Sequence, residues 1–340
     1  MNTNLKKYFP VIRTREQVLG EINRSVRLSD KYNEWSMEKQ ELFLNLCTGE
    51  KGIKILYDSF FKEIMNPEYE PERMNDLLSV LLNKKVVIKE VLPLDSTRFG
   101  DEKCLIIMDI VVELEDGSIA DVEVQKLGYA FPGQRMACYS ADMLLRQYKR
   151  LRDVKKKKFS YKDIGSVYTI IFFENSPLEL KEISEAYIHR GKQNFDTNLE
   201  LNMLQEYILV PLDIFKKIKQ NENIDNKLEA WLTFLGMDSP EWIEKLIHGY
   251  PEFIPMYEDL YDMCLNTEKV MDMFSKELAE LDRNTVDYMV DQMQLQIDER
   301  DKIIDEQDRI IGERNKIIDE DKKEIEKLKR KIQELQKHNC

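Results

Sequence analysis

The chain has 340 residues, 42% of them hydrophobic and 34% charged, with a formal net charge of −13. Its length exceeds the usual single domain and its apolar share suffices for a sizeable core, so two or three structural units are expected. The acidic balance counts against a uniformly basic nucleic-acid binder, and only 12 glycines and 10 prolines argue against a loop-rich scaffold.

Residues 1–35 read as a polar N-terminal segment with one apolar patch at 9–12 and no signal peptide. Helical periodicity starts at the N-cap candidate Ser36 and runs through Leu42, Leu46, Ile53, Leu56, Phe60 and Ile64, broken around Gly49 and Gly52. A second helix is expected over 71–83. The period then changes. Residues 86–92 read as a short strand, and the near-continuous apolar run 104–112 as a strand buried on both faces. Glu115-Asp116-Gly117 is a turn signal, and 118–125 is the partner strand. A helix over about 133–151, a basic connector and an apolar strand over 167–173 complete an α/β core spanning 36–175.

Residues 176–288 are expected to be mainly helical and packed on that core. Within them, 199–210 fits a strand or a helix and ends at Pro211, while 227–235 and 242–248 read as helices. From 289 to 338 the pattern is that of a coiled coil, because Ile297, Ile304, Ile311, Ile318, Ile325 and Ile332 recur every seven residues. Ile303, Ile310 and Ile317 widen the early seam. With the periodic isoleucine at position a, the early d positions are Arg300, Gln307 and Arg314; Leu328 and Leu335 supply the usual partner only later. Self-association through this tail is expected, with the number of strands open. The five cysteines are scattered without metal-ligand spacing, as in a reduced chain. No stretch approaches the roughly 18 apolar residues that span a bilayer, so a cytoplasmic protein with no membrane partner is expected.

Chemistry concentrates on the central hairpin. Asp109 is the lone acid in Leu105-Ile106-Ile107-Met108-Asp109-Ile110-Val111-Val112, and a buried carboxylate needs a partner, a network or a metal. A three-residue loop with Gly117 left-handed pairs Leu114 with Ser118, and counting outward sets Asp109 opposite Glu123. Opposed carboxylates with Cβ atoms roughly 5 Å apart repel unless a divalent cation lies between them. Oxygen ligands suit Mg²⁺, which keeps waters that a substrate phosphate displaces. Gln125 shares the face of Glu123, Lys126 takes the opposite one, and Asp121, also on the Glu123 face, is an alternative acid.

Asp109, thirteen intervening residues and Glu123-Val124-Gln125 resemble the Asp…Glu-x-Gln form of the PD-(D/E)XK nuclease motif. The likeness is to recombination-promoting nucleases, also described as PD-(D/E)XK-family putative transposases. Asp58-Ser59-Phe60-Phe61-Lys62, the 73–83 helix, Lys103, the Arg135-x-x-x-Tyr139 spacing and Trp231 also fit, so the resemblance covers about 50–250. It implies a restriction-endonuclease-like αβββαβ core, a Mg²⁺-dependent DNA endonuclease with Mn²⁺ as substitute, and DNA as partner. By resemblance Asp109 and Glu123 hold the metal, Gln125 replaces the usual lysine, and Arg135 or Lys103 supplies the missing positive charge. Asp58 reads as a structural acid.

Arg146, Lys149, Arg150, Arg152, Lys155, Lys156, Lys157 and Lys158 form the dense basic cluster, opposed by Asp153. Lys149, Arg150 and Lys155 to Lys158 are the candidate phosphate contacts. The rival expectation is an inactive nuclease-like fold that works as an oligomeric interaction module.

Overall fold

The computed structural model describes residues 5–92, 110–126, 132–197 and 199–338, and the chain divides into two compact units between Thr285 and Val286. The polar N-terminal segment holds two helices that the sequence reading did not assign. α1 (Arg15–Arg24) starts at a capping box in which Thr14 and Gln17 each bond the other's backbone N–H, and α2 (Val26–Asn33) starts at Ser25. Their Val18, Ile22 and Leu28 join the core with Leu5, Phe9 and Ile12.

α3 (Met37–Thr48) is capped by Ser36, whose hydroxyl accepts from the Lys39 N–H, and stops at left-handed Gly49. α4 (Asp58–Ile64) and α5 (Pro71–Leu82) follow, the latter opened by proline at its first turn and closed by left-handed Asn83. Next come β1 (Ile88–Val91), β2 (Ile110–Leu114), β3 (Ile119–Gln125), α6 (Pro132–Lys155) and β4 (Val167–Phe173). The stretch that fitted a strand or a helix contains a strand. After α7 (Leu178–Lys181), β5 (His189–Lys192) and β6 (Gln205–Pro211) extend the sheet beyond the expected core. Among the described residues the sheet has six strands in the order β1-β2-β3-β4-β6-β5. β3, β4 and β6 run parallel, and the outer pairings are antiparallel. β6 is the parallel neighbour of β4 and is buried at Ile208, Val210 and Pro211, which accounts for its apolar end; β5 is a polar, mostly exposed edge.

Alternation along the strands assigns each face. Val112, Leu114, Ala120, Val122, Tyr168, Ile170, Phe172, Ile208 and Val210 face the main core with residues of α1–α5. α8 (Leu212–Lys219), α9 (Lys227–Gly236), α10 (Pro240–Gly249), α11 (Ile254–Cys264) and the first turns of α12 (Thr267–His338) contribute to the same core. The odd-numbered residues of β2, β3 and β4 face the other way. There Val111, Ile119 and Val167 meet Met143 of α6, and Ile171 and Phe173 meet Leu180 and Ile214.

The β2–β3 turn is held from both sides. Gly117 takes φ +82° and donates its N–H to the Leu114 carbonyl at 2.9 Å. Gly165 passes so close that a Cβ there would lie 2.4 Å from the Gly117 carbonyl oxygen. Because the obstacle is backbone, Gly165→Ala should destabilise by about 2–3 kcal/mol, the upper end of overpacking costs. Gly20→Ala, with open space around it in α1, should instead stabilise by up to ~1 kcal/mol. Urea melts of both variants check this; equal midpoints would mean that the 159–166 loop yields freely.

In the second unit the described residues all belong to α12. Ile297, Ile303, Ile304, Ile310, Ile311, Ile317, Ile318, Ile325 and Leu328 are each about half exposed, forming a continuous apolar stripe. No helix among the described residues is long and apolar enough to cross a membrane.

Candidate active site

β3 carries the acids because its two faces differ in composition. Ala120 and Val122 go into the main core, leaving Asp121, Glu123 and Gln125 on the face roofed by α6. All three are buried: Asp121 is 0% exposed, and Glu123 and Gln125 are 7% each. Neither carboxylate is without a partner, as burial of a charge demands. The parallel register sets Thr169 of β4 beside Asp121 and Ile171 beside Glu123. Thr169 is fully buried, and its Oγ1 has no hydrogen-bond partner among the described residues.

α6 is fixed over this face by buried polar residues. Gln147 Nε2 donates to the Gly117 carbonyl at 2.9 Å, and Ser140 Oγ accepts from Gln205 Nε2 at 3.0 Å. Met136, one residue after Arg135, packs against the cluster of Ile171, Phe173, Leu180 and Ile214, which sets the start of α6 near that cluster. Arg135 and Tyr139 are half-buried, and neither lacks a partner.

The hairpin has the register that the sequence count used, with Ile110 opposite Val122 and the Leu114 N–H bonded to the Ser118 carbonyl. Asp109 and Lys103 lie outside the described residues. Among the described residues, no three His, Cys, Asp or Glu side chains come together as a metal-binding group. The donors on the β3 face are nevertheless all oxygen: two carboxylates, the Gln125 amide carbonyl and the Thr169 hydroxyl. Such a set fits a hard divalent cation and not a thiophilic one.

Lys126 belongs elsewhere. It points to the main core and forms a buried ion pair with Glu277 of α12, which also accepts the Asp58 N–H at 3.0 Å. Asp58 in turn pairs with Lys62 at 2.7 Å, so it has a structural position at the start of α4. The Gln125 carbonyl accepts from the Glu174 N–H at 2.8 Å, and Glu174 pairs with Lys54. The positions of Glu277, Glu174 and Thr169 had no local sequence signal, because each meets the hairpin across 40 or more residues of chain.

The basic cluster divides in two. Arg150 is paired with Glu113 and reaches Glu90 at 3.1 Å; Arg146 pairs with Asp142 at 2.7 Å, and Lys155 with Asp163 at 2.6 Å. The hydrogen bond from Lys155, helped by the Ser160 N–H, holds the Asp163 carboxyl below the usual range. Lys149, Lys156, Lys157 and Lys158 are exposed, with no ion pair among the described residues. Lys156 takes a left-handed φ of 49°, which turns the chain at the end of α6.

A family model described as PD-(D/E)XK nuclease family transposase matches residues 55–293, which includes α4 through α11, the whole sheet and the start of α12. No curated protein matches the chain.

Proposed function

Since this chain belongs to the PD-(D/E)XK nuclease family transposases, we propose that it hydrolyses DNA phosphodiester bonds using Mg²⁺ or Mn²⁺ held by Asp109 and Glu123. The observation that carries this reading is the buried acidic face of β3, Asp121 and Glu123 beneath α6, in a hairpin whose register pairs Ile110 with Val122. Asp109 and Glu123 would hold the cation, which when bound would supply an acidified water and offset charge on the scissile phosphate. Glu123 offers its carboxylate from a strand packed on both faces, which limits its freedom to swing away. Gln125 orients a water or a phosphate oxygen through its amide; it neither takes a proton nor adds positive charge. That charge falls to Arg135 or Lys103. Lys149, Lys156, Lys157 and Lys158 bind phosphates away from the cut, where steering depends on salt and not on sequence.

The stripe on α12 supports self-association through a coiled coil, which sets two cores on one duplex as double-strand cleavage requires. A second reading, a nuclease-like fold that no longer cuts and serves as an oligomeric interaction module, is favoured by Gln125 in the position of the family's usual lysine. Plasmid nicking with Mg²⁺ or Mn²⁺, run beside Asp109→Ala, separates the two. Nicking that disappears in the variant supports the nuclease, and an inert wild type supports the module.

The free lysines give a further expected result. Lys156→Ala, Lys157→Ala and Lys158→Ala combined should weaken duplex binding and lower the slope of log K against log salt by up to about three units, roughly one per lost phosphate contact. Lys155 is left in place because Asp163 already holds it. A fluorescence-anisotropy titration from 50 to 300 mM salt that returned the wild-type slope would assign these lysines to solvation alone.

A further inference from the structure

Beside the lysine run lies an aromatic cluster that the cleavage reading leaves without a task. Tyr148 on the last turns of α6, Phe159 and Tyr161 contact one another at centroid distances of 5.5–6.1 Å. Tyr148 and Tyr161 are stacked, with 11° between their planes, and the other two pairs meet edge to face. Arg152 lies over the Tyr148 ring at 5.7 Å and donates to its hydroxyl at 2.7 Å. Tyr161 is nevertheless 74% exposed, so most of its ring faces solvent.

This platform is rigid. Tyr161 opens a 3-10 turn (Tyr161–Asp163) capped by Ser160, and Asp163 returns a bond to the Ser160 N–H at 2.7 Å. The Lys155–Asp163 pair ties that turn to the end of α6, while Gly165 presses the following residues onto the hairpin. A large exposed aromatic surface is costly to hold in water, and here it is built and braced. The surroundings are positive: nine basic residues against two acidic lie between 146 and 163, and besides the paired Arg146, Arg150 and Lys155 the other six have no ion pair among the described residues.

We propose that this patch binds single-stranded DNA, with Tyr161 as the stacking platform for a base and Arg152, Lys156, Lys157, Lys158 and Lys162 around it for the phosphates. An exposed ring distinguishes strandedness. In a duplex the base faces are already stacked on one another, so an aromatic side chain gains little; in a single strand every base has a free face. An acidic peptide would satisfy the lysines and leave the ring unused. The location fits a flanking segment and not the scissile bond. Gln147 touches Gly117, six residues before Glu123, which places the cluster about 20 Å from Glu123 along the strand direction at roughly 3.3 Å per residue. A strand unpaired near a cut would be retained there. This use rests on the DNA-cleaving reading for its biological sense, but its physical test does not.

The test is anisotropy of labelled dT15 and of a 15-base-pair duplex with the full-length chain in EDTA, where no metal-dependent cutting occurs. Wild type should bind dT15, and Tyr161→Ala should weaken that binding about tenfold, within the range of one lost base stack. The salt slope and the duplex affinity should stay unchanged, and Tyr161→Trp should restore binding to dT15. Lack of dT15 binding by wild type, an unchanged affinity in Tyr161→Ala, or a parallel loss on duplex would each overturn the proposal. Since Tyr161 is largely exposed, its truncation leaves the fold intact, and matching thermal melts check this. Plasmid nicking keeps the two readings apart: dT15 binding without nicking removes only the nuclease, and nicking without dT15 binding removes only this patch.

Discussion

Glu123→Gln should reduce plasmid nicking by about a hundredfold or more, the level expected when a direct metal ligand is lost, since even residues that only support a ligand cost ten- to a hundredfold. The substitution is nearly isosteric, so it removes charge while keeping the packing under α6. Asp121 lies two residues away on the same buried face, and melting curves without metal check that the variant keeps the fold. Added Mg²⁺ should raise the melting temperature of the wild type and not of the variant, because a ligand bound only by the folded state stabilises it by about 2.7 kcal/mol at a hundred times its Kd. Asp121→Asn run in parallel identifies the acid that matters. If Glu123→Gln nicks DNA as well as wild type while Asp121→Asn is inert, the roles of the two acids are exchanged. Full activity in both, with intact melting curves, would remove the β3 face from the chemistry.

Deleting residues beyond 290 should convert an oligomer into a monomer and leave the melting of the first unit unchanged. Nine isoleucine and leucine side chains on the described part of α12 stand about half exposed. Covering each is worth about 1 kcal/mol, part of the 1.5–3 kcal/mol for full burial of such a side chain. Two or more chains together then gain enough to exceed the cost of association, roughly 4–15 kcal/mol. Charge does not oppose this, since 14 acidic residues face 12 basic ones across 291–340. The paired isoleucines at 303/304, 310/311 and 317/318 widen the seam, which favours more than two strands over a simple dimer. Light scattering of full-length and truncated chains at micromolar concentration decides the matter. A monomeric full-length protein would make the stripe a surface for a different partner.

Much of the fold could be read from periodicity because the elements around the hairpin have clean local signals. β4 matches its expected limits, α5 announces itself by Pro71 and Asn83, and the Glu115-Asp116-Gly117 turn sets the register of β2 against β3. α6 runs to Lys155 where the apolar pattern ends at Leu151, because lysine and arginine extend a helix without adding to its buried face. β5 went unread since a four-residue polar edge strand carries no hydrophobic alternation. The helices before residue 35 are short, and their clearest mark, the Thr14–Gln17 capping box, is a pair of single residues in a polar stretch. At the site, the face shared by Glu123 and Gln125 follows from alternation alone. Its surroundings do not: Thr169 arrives through a parallel crossover, and the partner of Lys126 lies 151 residues away.

That last contact sets a limit on how the protein can be subdivided. Lys126 and Glu277 are each about 95% or more buried, and breaking a buried ion pair by removing one partner costs about 3–5 kcal/mol. The opening turns of α12 are therefore part of the folding unit, although they belong to the same helix as the tail. A fragment designed to stop at the end of α11, where the regular core helices end, would lose Glu277 and with it the buried ion pair to the residue that follows the Glu-Val-Gln strand. The smallest piece worth expressing reaches past Glu277 at one end and back to Leu5 at the other, wider than any boundary drawn from the motif itself.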